Sequence, residues 1–402
     1  MKRDIVLLST ADWDNPFWTN KQHVAVELAK DGHRVLYIDS LGLRRPSASA
    51  RDVRRIVRRL KKAFRPPVEV RKRLYVWSPV TIPLQRWGGV RALNRRLLSR
   101  ALRAMTGRLG MSYDLLWTYN PLTTRLLDVG AFRQVVYHCV DEIKAQPGMP
   151  AAVLEAGEEE LCRAADLVFT TSRHLTETRR RWNPETHYFP NVADFDHFHR
   201  ACDPSTPVPA DLAAIPAPRI GFIGAVSGYK VDFRLLRTVA EARPRWSLVL
   251  IGAVGEGDPW TDPTLLEGVP NIHLLGPRDY RDLPGYLKGM DVAILPNTIN
   301  EYTRSMFPMK FFEYLAAGRP VVAVALDALA EFAHVATLAD SPEVFIDGIE
   351  RALAGEVPPL EARLAVARQH TYAARNRQMM ELVEAALKKR NKPSMTGKED
   401  GT

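Results

Sequence analysis

The chain begins with two short apolar runs separated by a helical pattern. Residues 3–8 and 34–39 are rich in Ile, Val and Leu, and their length predicts two buried strands. Between them, residues 20–31 carry apolar side chains on one face of a helix, which ends at Gly32. Two strands joined through a helix predict a parallel sheet with a right-handed crossover.

The same alternation continues along the chain, with one interruption. Residues 200–218 contain five prolines, which is typical of a linker. Further apolar runs that predict strands lie at 115–118, 135–139, 167–170, 219–223, 247–251, 272–275, 292–296 and 321–324. Two such arrays predict an α/β protein with two Rossmann-like, doubly wound domains that face each other across a cleft. In such sheets, ligands bind beyond the carboxyl ends of the strands.

Length and composition agree with two domains. The 402 residues are 46% hydrophobic and 25% charged, which suits a globular chain with more than one core. No stretch approaches the roughly 18 apolar residues that a membrane-spanning helix needs. Cys139, Cys162 and Cys202 form an odd count without metal-ligand spacing. We therefore expect free thiols and a reducing, cytoplasmic location.

The positive charge is concentrated in one segment. The whole chain has a net charge of +10, but residues 41–110 contain 20 Lys and Arg against two acids, so they carry +18 and the remainder −8. Within this segment, residues 51–65 and 91–109 each combine a narrow apolar stripe with cationic faces. Trp77 and Trp87 lie between them.

This pattern predicts peripheral attachment to the inner face of an anionic membrane through residues 41–110. Each cation near such a surface contributes about 1 kcal/mol, and the apolar stripes add burial. In one alternative, the stripes pack on the domain's own core beneath a solvated face of arginines. In another, the segment binds nucleic acid, but no base-reading motif accompanies the charge, so we expect no nucleic acid.

The segment 305–323, SMFPMKFFEYLAAGRPVVA, contains the residues with the clearest chemistry. A helix that begins near Pro308 would present Lys310 and Glu313 from its first two turns, with its positive end facing an anion. Lys310 could neutralise a phosphate, and Glu313 could accept hydrogen bonds from a vicinal diol such as ribose. By spacing alone, Lys and Glu at i, i+3 are more often a surface ion pair.

This segment resembles the donor-site motif of nucleotide-sugar glycosyltransferases with the GT-B fold. The resemblance is to family 4 and the group 1-like enzymes of bacterial exopolysaccharide or teichuronic acid synthesis. In that family, a Pro-x-Lys-x-x-Glu-Tyr-x-Ala-x-Gly-x-Pro-Val-Val sequence binds the diphosphate and ribose of the donor. Other segments similar to the family follow in the family's order, at 22–39, 169–172, 189–198, 220–224, 275–280 and 283–287.

The resemblance implies a donor site in the second domain. We expect donor contacts from Gly224, Lys230, Arg278, Tyr280, Lys310 and Glu313. A glycine at 224 permits close approach of the backbone to a phosphate, and Lys230 supplies charge. The predicted parts are an acceptor-side domain, a linker, a donor domain, a helix that packs back on the first domain and a disordered tail, at 1–199, 200–218, 219–370, 371–388 and 389–402.

Three positions depart from the family pattern. Ser305 replaces an acidic residue that contacts the transferred sugar, and Ala225 replaces the arginine that often follows the loop glycine. Val140 replaces the histidine that commonly precedes a strand-end aspartate. The aspartate itself is kept as Asp141.

Asp141 is accordingly the predicted catalytic carboxylate, with Lys310 stabilising the leaving group. A partly desolvated carboxylate at a strand end can act as a general base on the acceptor hydroxyl if the enzyme inverts. The alternative for Asp141 is a helix N-cap, with His138 or Glu142 as the catalytic substitute.

The loop at residues 11–20 follows the first strand and points into the same cleft. Its aromatic rings could stack on a sugar or prenyl-phosphate acceptor, although a Thr or Asn before a helix is also a plain N-cap. We expect acceptor contacts from Asp12, Trp13, Thr19, Asn20 and His138. Two Asp-x-Asp pairs, at 12–14 and 194–196, lie in the wrong domain for the donor. We therefore expect no metal, and no cofactor besides the nucleotide-sugar substrate.

Together, these features predict a metal-independent enzyme that transfers a sugar from a nucleotide-diphosphate donor, a UDP-sugar, to a lipid-linked or glycan acceptor. The product would be a cell-surface polysaccharide or glycolipid. Two other functions fit the same residues. One is a sugar-nucleotide 2-epimerase of the same fold, which needs no acceptor. The other is a non-catalytic nucleotide-sugar-binding subunit, which the serine at 305 suggests.

Overall fold

The computed structural model describes residues 2–15, 18–41, 66–79, 88–258 and 260–391. Their strands are β1 Asp4–Leu8, β2 Arg34–Ile38, β3 Val68–Arg71, β4 Leu74–Trp77, β5 Leu115–Thr118, β6 Gln134–Cys139, β7 Leu167–Thr170, β8 Thr186–Tyr188, β9 Arg219–Ile223, β10 Ser247–Ile251, β11 Ile272–Gly276, β12 Val292–Leu295, β13 Val321–Val324 and β14 Thr337–Ala339.

The α-helices of the described residues alternate with these strands. They are α1 Asn20–Lys30, α2 Gly88–Arg108, α3 Thr123–Leu126, α4 Ala151–Ala164, α5 Arg173–Arg180, α6 Phe195–His199, α7 Ala210–Ala213, α8 Phe233–Ala242, α9 Leu283–Lys288, α10 Glu301–Arg304, α11 Lys310–Ala316, α12 Pro342–Leu353, α13 Leu360–Gln369 and α14 Tyr372–Asn391.

Two separate sheets organise the molecule. Their strand orders are β3-β4-β2-β1-β5-β6-β7-β8 and β11-β10-β9-β12-β13-β14. Every pairing is parallel except that of β3 with β4. The chain reverses direction across each sheet at β1 and at β9, so each sheet has a switch point where a ligand crevice opens. The predicted class, two Rossmann-like doubly wound domains, is confirmed.

Helices cover both faces of the first sheet. The C-terminal helix α14 packs beside α1, where Met379 and Val383 share a core with Val24 and Leu28. Gln134 Nε2 donates to the backbone oxygen of Val383 at 2.9 Å. The helix runs to residue 391, past the predicted end at 388, because basic side chains are favourable in a last helical turn. Residues 392–402 of the predicted tail lie outside the described residues.

The basic segment contains one element that the sequence did not predict. Strands β3 and β4 form a hairpin that joins the edge of the first sheet, with Arg73 in the left-handed region at φ 67°. Strand β3 is exposed along its whole length, so it lacks the apolar run that identifies a buried strand. Trp77 of β4 is buried. The predicted helix 51–65 and Trp87 lie outside the described residues.

The second predicted basic helix is confirmed as α2. Its Leu98 and Leu102 are buried in the core, whereas Leu93 and Leu97 are 46% and 51% exposed. The apolar stripe is therefore split between the core and the solvent. No helix in the described part of the chain is long and apolar enough to cross a membrane.

A buried ionic cluster joins the first sheet to its outer helices. Arg179 of α5 lies 2.7 Å from a carboxylate oxygen of Glu142, which follows β6, and 2.7 Å from one of Glu158 on α4. All three side chains are buried, and Tyr137 Oη donates to Glu158 at 2.7 Å. One guanidinium therefore compensates two buried carboxylates, which would otherwise carry a large desolvation cost.

Replacing Arg179 should destabilise the first domain severely. Arg179→Met leaves two buried carboxylates uncompensated, so we expect the free energy of unfolding to fall by about 3–5 kcal/mol. Urea unfolding would measure the change. Arg163→Met is the matched control, because Arg163 forms an exposed pair with Glu159 that should be worth less than about 1 kcal/mol. Equal effects of the two substitutions would contradict the prediction.

Candidate active site

Loops from the carboxyl ends of the two sheets meet each other. Tyr302, in α10 after β12, donates from Oη to Asp141 Oδ1 at 3.1 Å, and Asp141 follows β6. Ser172, after β7, donates from Oγ to the backbone oxygen of Ser305 at 2.8 Å. The predicted catalytic carboxylate therefore lies where the two domains touch, at the end of the strands where this fold binds ligands.

Asp141 is a half-buried carboxylate without a capping role. The 3-10 turn at 143–145 takes Glu142 as its N-cap residue and receives no side-chain hydrogen bond from it. Within the described ranges, Tyr302 provides the one hydrogen bond to the Asp141 carboxylate. Burial and the charge of Asp141 raise the pKa of Tyr302 well above its usual range, so its phenol stays a proton donor. Glu142 is paired with Arg179, whereas Asp141 forms no ion pair among the described residues.

Lys230 comes from the loop that follows β9. Its Nζ lies 5.2 Å from the ring centroid of Tyr229 and 5.4 Å from that of Tyr302. Aromatic faces can hold an ammonium group without neutralising it. Lys230 therefore reaches the same tyrosine that binds Asp141, and its positive charge is available to an anionic ligand.

Gly224 begins this loop and is tightly packed. Its N–H donates to the backbone oxygen of Ile251 at 2.8 Å. A Cβ on the neighbouring Gly252, at φ +151°, would lie 1.8 Å from the Gly224 oxygen. The close approach in this structure is therefore between two backbone segments, and Gly252 is the position that requires glycine.

Lys310 and Glu313 form a close pair at the start of α11. The helix begins at Lys310, two residues later than predicted. Lys310 Nζ lies 2.8 Å from Glu313 Oε2, with side-chain exposures of 27% and 5%. Burial raises the pKa of Glu313, and the charge of Lys310 opposes that rise. The pair is thus largely buried, unlike the surface ion pair that the spacing alone would suggest.

Two further residues of the same motif hold α11 in place. Tyr314 Oη accepts from the Ile223 N–H at 2.8 Å, at the end of β9. Gly318 has φ +71° and ends the helix, where the N–H of Arg319 returns to the oxygen of Tyr314. A Cβ at 318 would lie 2.9 Å from Cys202 Sγ. These positions of the motif therefore orient the Lys310–Glu313 pair against the β9 loop.

The family-like segment 275–280 contacts α6 and the linker. The Tyr280 ring stacks on His197 at 4.2 Å, and His197 Nε2 donates to the Tyr280 oxygen at 2.9 Å. Arg278 Nη2 lies 2.7 Å from Asp211 Oδ2, and its Nε donates to Tyr286 Oη at 2.7 Å. The guanidinium of Arg278 is therefore occupied by the linker helix α7.

The first loop places an aromatic group before α1. The ring centroid of Trp13 lies 5.2 Å from those of both Trp18 and Tyr37, and the backbone N–H of Trp13 donates to Asp39 Oδ1 at 2.7 Å. The backbone oxygen of Asp12 accepts from Gln22 Nε2 at 3.1 Å. Thr19 precedes α1, and its backbone N–H donates to Gln22 Oε1 at 3.1 Å.

Two predicted acceptor residues are in the interior. Asn20 Nδ2 donates to Asn191 Oδ1 at 2.6 Å, and Asn20 Oδ1 accepts from Arg375 at 2.9 Å. His138 is fully buried beside Trp117 and Tyr119, because its side chain points into the helix layer. Burial lowers the pKa of His138 well below its usual range, so it stays neutral. Both side chains are covered by packing, and acceptor contact would require them to move.

The sequence did not identify Lys21, Tyr302 or Arg375 as residues of this region. Lys21 lies in the first turn of α1, and its charge interacts with those of Asp141 and Lys230. A lone lysine in an amphipathic helix carries no signal, because its orientation depends on the whole tertiary arrangement. Over the described residues, no group of three or more His, Cys, Asp or Glu could hold a metal ion.

Comparison with known proteins defines the class. Residues 217–355 match the family model of glycosyl transferases group 1. Sucrose-phosphate synthase from Thermosynechococcus elongatus has the same fold, with 18% identity and a TM-score of 0.66 over 96% of this chain and 100% of that one. Anabaena HepE, solved with UDP and glucose, has 16% identity and a TM-score of 0.64 over 95% and 99%. Residues 217–355 therefore form a group 1 glycosyltransferase domain, and the chain has the GT-B fold of these solved structures.

One relative is similar in sequence as well. This is TuaH of Bacillus subtilis (strain 168), a provisionally assigned teichuronic acid biosynthesis glycosyltransferase. It is 26% identical over 283 residues, which cover 66% of this chain and 70% of that protein. The predicted family resemblance and enzyme class are confirmed.

The packing of α1 against α14 should make stability depend on pH through His23. This ring, in α1, stacks on Tyr372 of α14 at 4.3 Å. Burial, and then the charges of Arg375 and Lys310, lower the pKa of His23 from 6.5 to about 3. Below about pH 6.5, His23 is therefore protonated in the unfolded chain but stays neutral in the folded chain. Between about pH 6.5 and pH 3, the free energy of unfolding should fall by about 1.4 kcal/mol for each unit by which the pH is lowered.

Substitution His23→Phe keeps a stacked ring and removes this titration. The difference in unfolding free energy between variant and wild type should be constant above pH 7 and should shift in favour of the variant as the pH falls to 4. Urea unfolding at several pH values would measure it. Parallel pH profiles of the two proteins would contradict the assigned shift.

Proposed function

We propose that this glycosyltransferase transfers a sugar from a UDP-sugar to a lipid-linked or glycan acceptor in the synthesis of a cell-surface polysaccharide or glycolipid. The observation that carries the proposal is the largely buried Lys310–Glu313 pair at 2.8 Å, which joins a cation to a hydrogen-bond acceptor. A nucleoside diphosphate offers the complementary groups, a phosphate beside a ribose diol. HepE bound to UDP, and the polysaccharide assignment of TuaH, support the same substrate classes.

In this proposal, Lys310 and Lys230 stabilise the leaving diphosphate. As the bond from the anomeric carbon to the phosphate oxygen breaks, its electron pair stays on that oxygen and negative charge develops there. Lys310 lies on the helix that Tyr314 fixes to β9, and Lys230 lies in the loop after the same strand. Two cations held on one strand end are preorganised for that charge, which is an effective form of transition-state stabilisation.

Asp141 acts on the acceptor in the same proposal. Tyr302 holds Oδ1 at 3.1 Å, which leaves Oδ2 to accept the proton of the acceptor hydroxyl as its oxygen attacks the anomeric carbon. Because Tyr302 and Lys230 belong to the donor domain and Asp141 to the other, this arrangement depends on contact between the domains.

Two substitutions separate donor binding from transfer. Lys310→Ala removes a charge-assisted contact worth about 1.5–3 kcal/mol, so the Kd for UDP should rise by about tenfold or more. Asp141→Asn should leave the Kd for UDP unchanged and lower transfer to membrane-extracted acceptors by about 10²-fold or more. Calorimetry with UDP, GDP and TDP, and transfer of radiolabelled sugar, would measure the two effects.

Lys389→Ala is the control for charge, because Lys389 is exposed at the end of α14. Unchanged UDP affinity in Lys310→Ala would contradict the phosphate assignment. Tighter binding of GDP or TDP than of UDP would contradict the choice of donor base.

We further propose that residues 41–110 attach the enzyme to the inner face of an anionic membrane. In the described part of this segment, Leu93 and Leu97 are exposed on one face of α2, and Arg96 and Arg100 lie on that same face at helical spacing. Exposed leucines among arginines suit a surface where cations meet anionic headgroups and apolar side chains enter the lipid. A membrane-bound acceptor would then be presented to the first domain.

Vesicle binding tests this attachment. Wild-type protein should co-sediment with vesicles of phosphatidylglycerol and phosphatidylcholine at low salt and be released at high salt, because screening weakens surface charges. The double variant Leu93→Ser, Leu97→Ser should bind about tenfold more weakly, since it removes apolar area from the contact. Leu360→Ser, at an exposed leucine of α13, is the control. Vesicle binding that is equally strong at low and high salt would contradict the proposed membrane attachment.

A further inference from the structure

Lys21 is a buried lysine without a hydrogen-bonding partner. The residue is only 9% exposed, yet within the part of the chain that the structure describes its Nζ makes no hydrogen bond and no ion pair. The ring of Tyr119 lies below it, with the centroid 5.8 Å from Nζ. Removing an ammonium group from water without a close partner costs several kcal/mol.

The position of Lys21 within α1 makes its charge still less favourable. It lies in the first turn of an 11-residue helix, where free N–H groups already give a positive end, and that turn contains no acidic residue. A lysine is normally favoured at the opposite end of a helix. The helix start and the buried ammonium group therefore both favour a negative charge in addition to that of Asp141.

The charges around Lys21 also leave an excess of positive charge. Asp141 attracts it and Lys230 repels it, and the charges of Lys21 and Arg375 both act on the buried His138 ring. These groups comprise one carboxylate and three cations, and the carboxylate already accepts a hydrogen bond from Tyr302. Burial and the charge of Lys230 lower the pKa of Lys21, and a bound anion would raise it again.

We infer that Lys21 binds a phosphoryl group of a substrate, in a subsite at the start of α1 that Lys230 completes from the opposite domain. The inference rests on the proposed transferase function and specifies one of its substrate classes. An ammonium group offers three donors and no acceptor, so it suits phosphate oxygens better than sugar hydroxyls. The phosphate has two sources, the donor diphosphate and a phosphorylated or lipid-phosphate acceptor.

Thermal unfolding with two probes tests the inference and separates these sources. A ligand that binds the folded state raises its stability by RT ln(1 + [L]/Kd), so melting temperatures report affinity. The first arm titrates UDP. The second arm titrates inorganic phosphate at saturating UDP, with sodium chloride as the ionic-strength control. Both arms compare wild type, Lys21→Met and Lys30→Met, the last being an exposed lysine of the same helix.

We expect Lys21→Met to lose at least tenfold in affinity in one arm, and Lys30→Met to match wild type in both. Loss in the UDP arm assigns Lys21 to the donor phosphate, and loss in the phosphate arm assigns it to the acceptor phosphate. Wild-type responses from Lys21→Met in both arms would overturn the inference while UDP binding still supports the donor proposal. If UDP fails to stabilise the wild type, the donor proposal fails instead.

The unliganded proteins provide a check on folding. Because Lys21 lacks a close partner, Lys21→Met should melt at the same temperature as the wild type or higher, since a buried charge is removed. The loss of a ligand response then reports the subsite. A melting temperature several degrees below that of the wild type would make Lys21 a structural counter-ion of Asp141 and would overturn the inference.

Discussion

The polypeptide passes between its two domains twice, and the two passages are bonded to each other. Ala193 and Thr371 form an isolated parallel bridge, and the N–H of Ala193 donates to the oxygen of His370. Beside them, Asn191 connects α1 with the segment before α11, through Asn20 on one side and the backbone of Phe307 on the other. The spacing of the two sheets is set at this seam. A contact as short as that between Tyr302 and Asp141 depends on it.

The cleft that results contains three lysines with different partners. Lys310 is paired with Glu313, Lys230 lies over the rings of Tyr229 and Tyr302, and Lys21 lies over the ring of Tyr119. Lys310 is therefore neutralised by an ion pair, whereas neither Lys230 nor Lys21 forms an ion pair with a described residue. A substrate with several negative charges would be attracted most strongly to the region between the domains, because Lys21 and Lys230 come from different domains.

The apolar strands were predictable because parallel sheets covered on both faces have continuous apolar strands, as at 219–223. The hairpin at 68–77 was not, since β3 is an exposed edge strand. In the site, Lys310 and Glu313 could be found because their motif is local in sequence. The burial of His138 and the bridge from Tyr302 to Asp141 could not, because packing between distant parts of the chain decides them.

Helix α14 follows the second sheet in the chain but packs against α1 of the first domain. Arg375 and Asn376 bond to Asn20 and to the backbone of Val24. The last 20 residues of the described chain therefore follow one domain in sequence but pack on the other. Recombination between relatives that exchanges the second domain as one block would succeed only if its second crossover falls before residue 371, so that α14 stays with the first domain on which it packs.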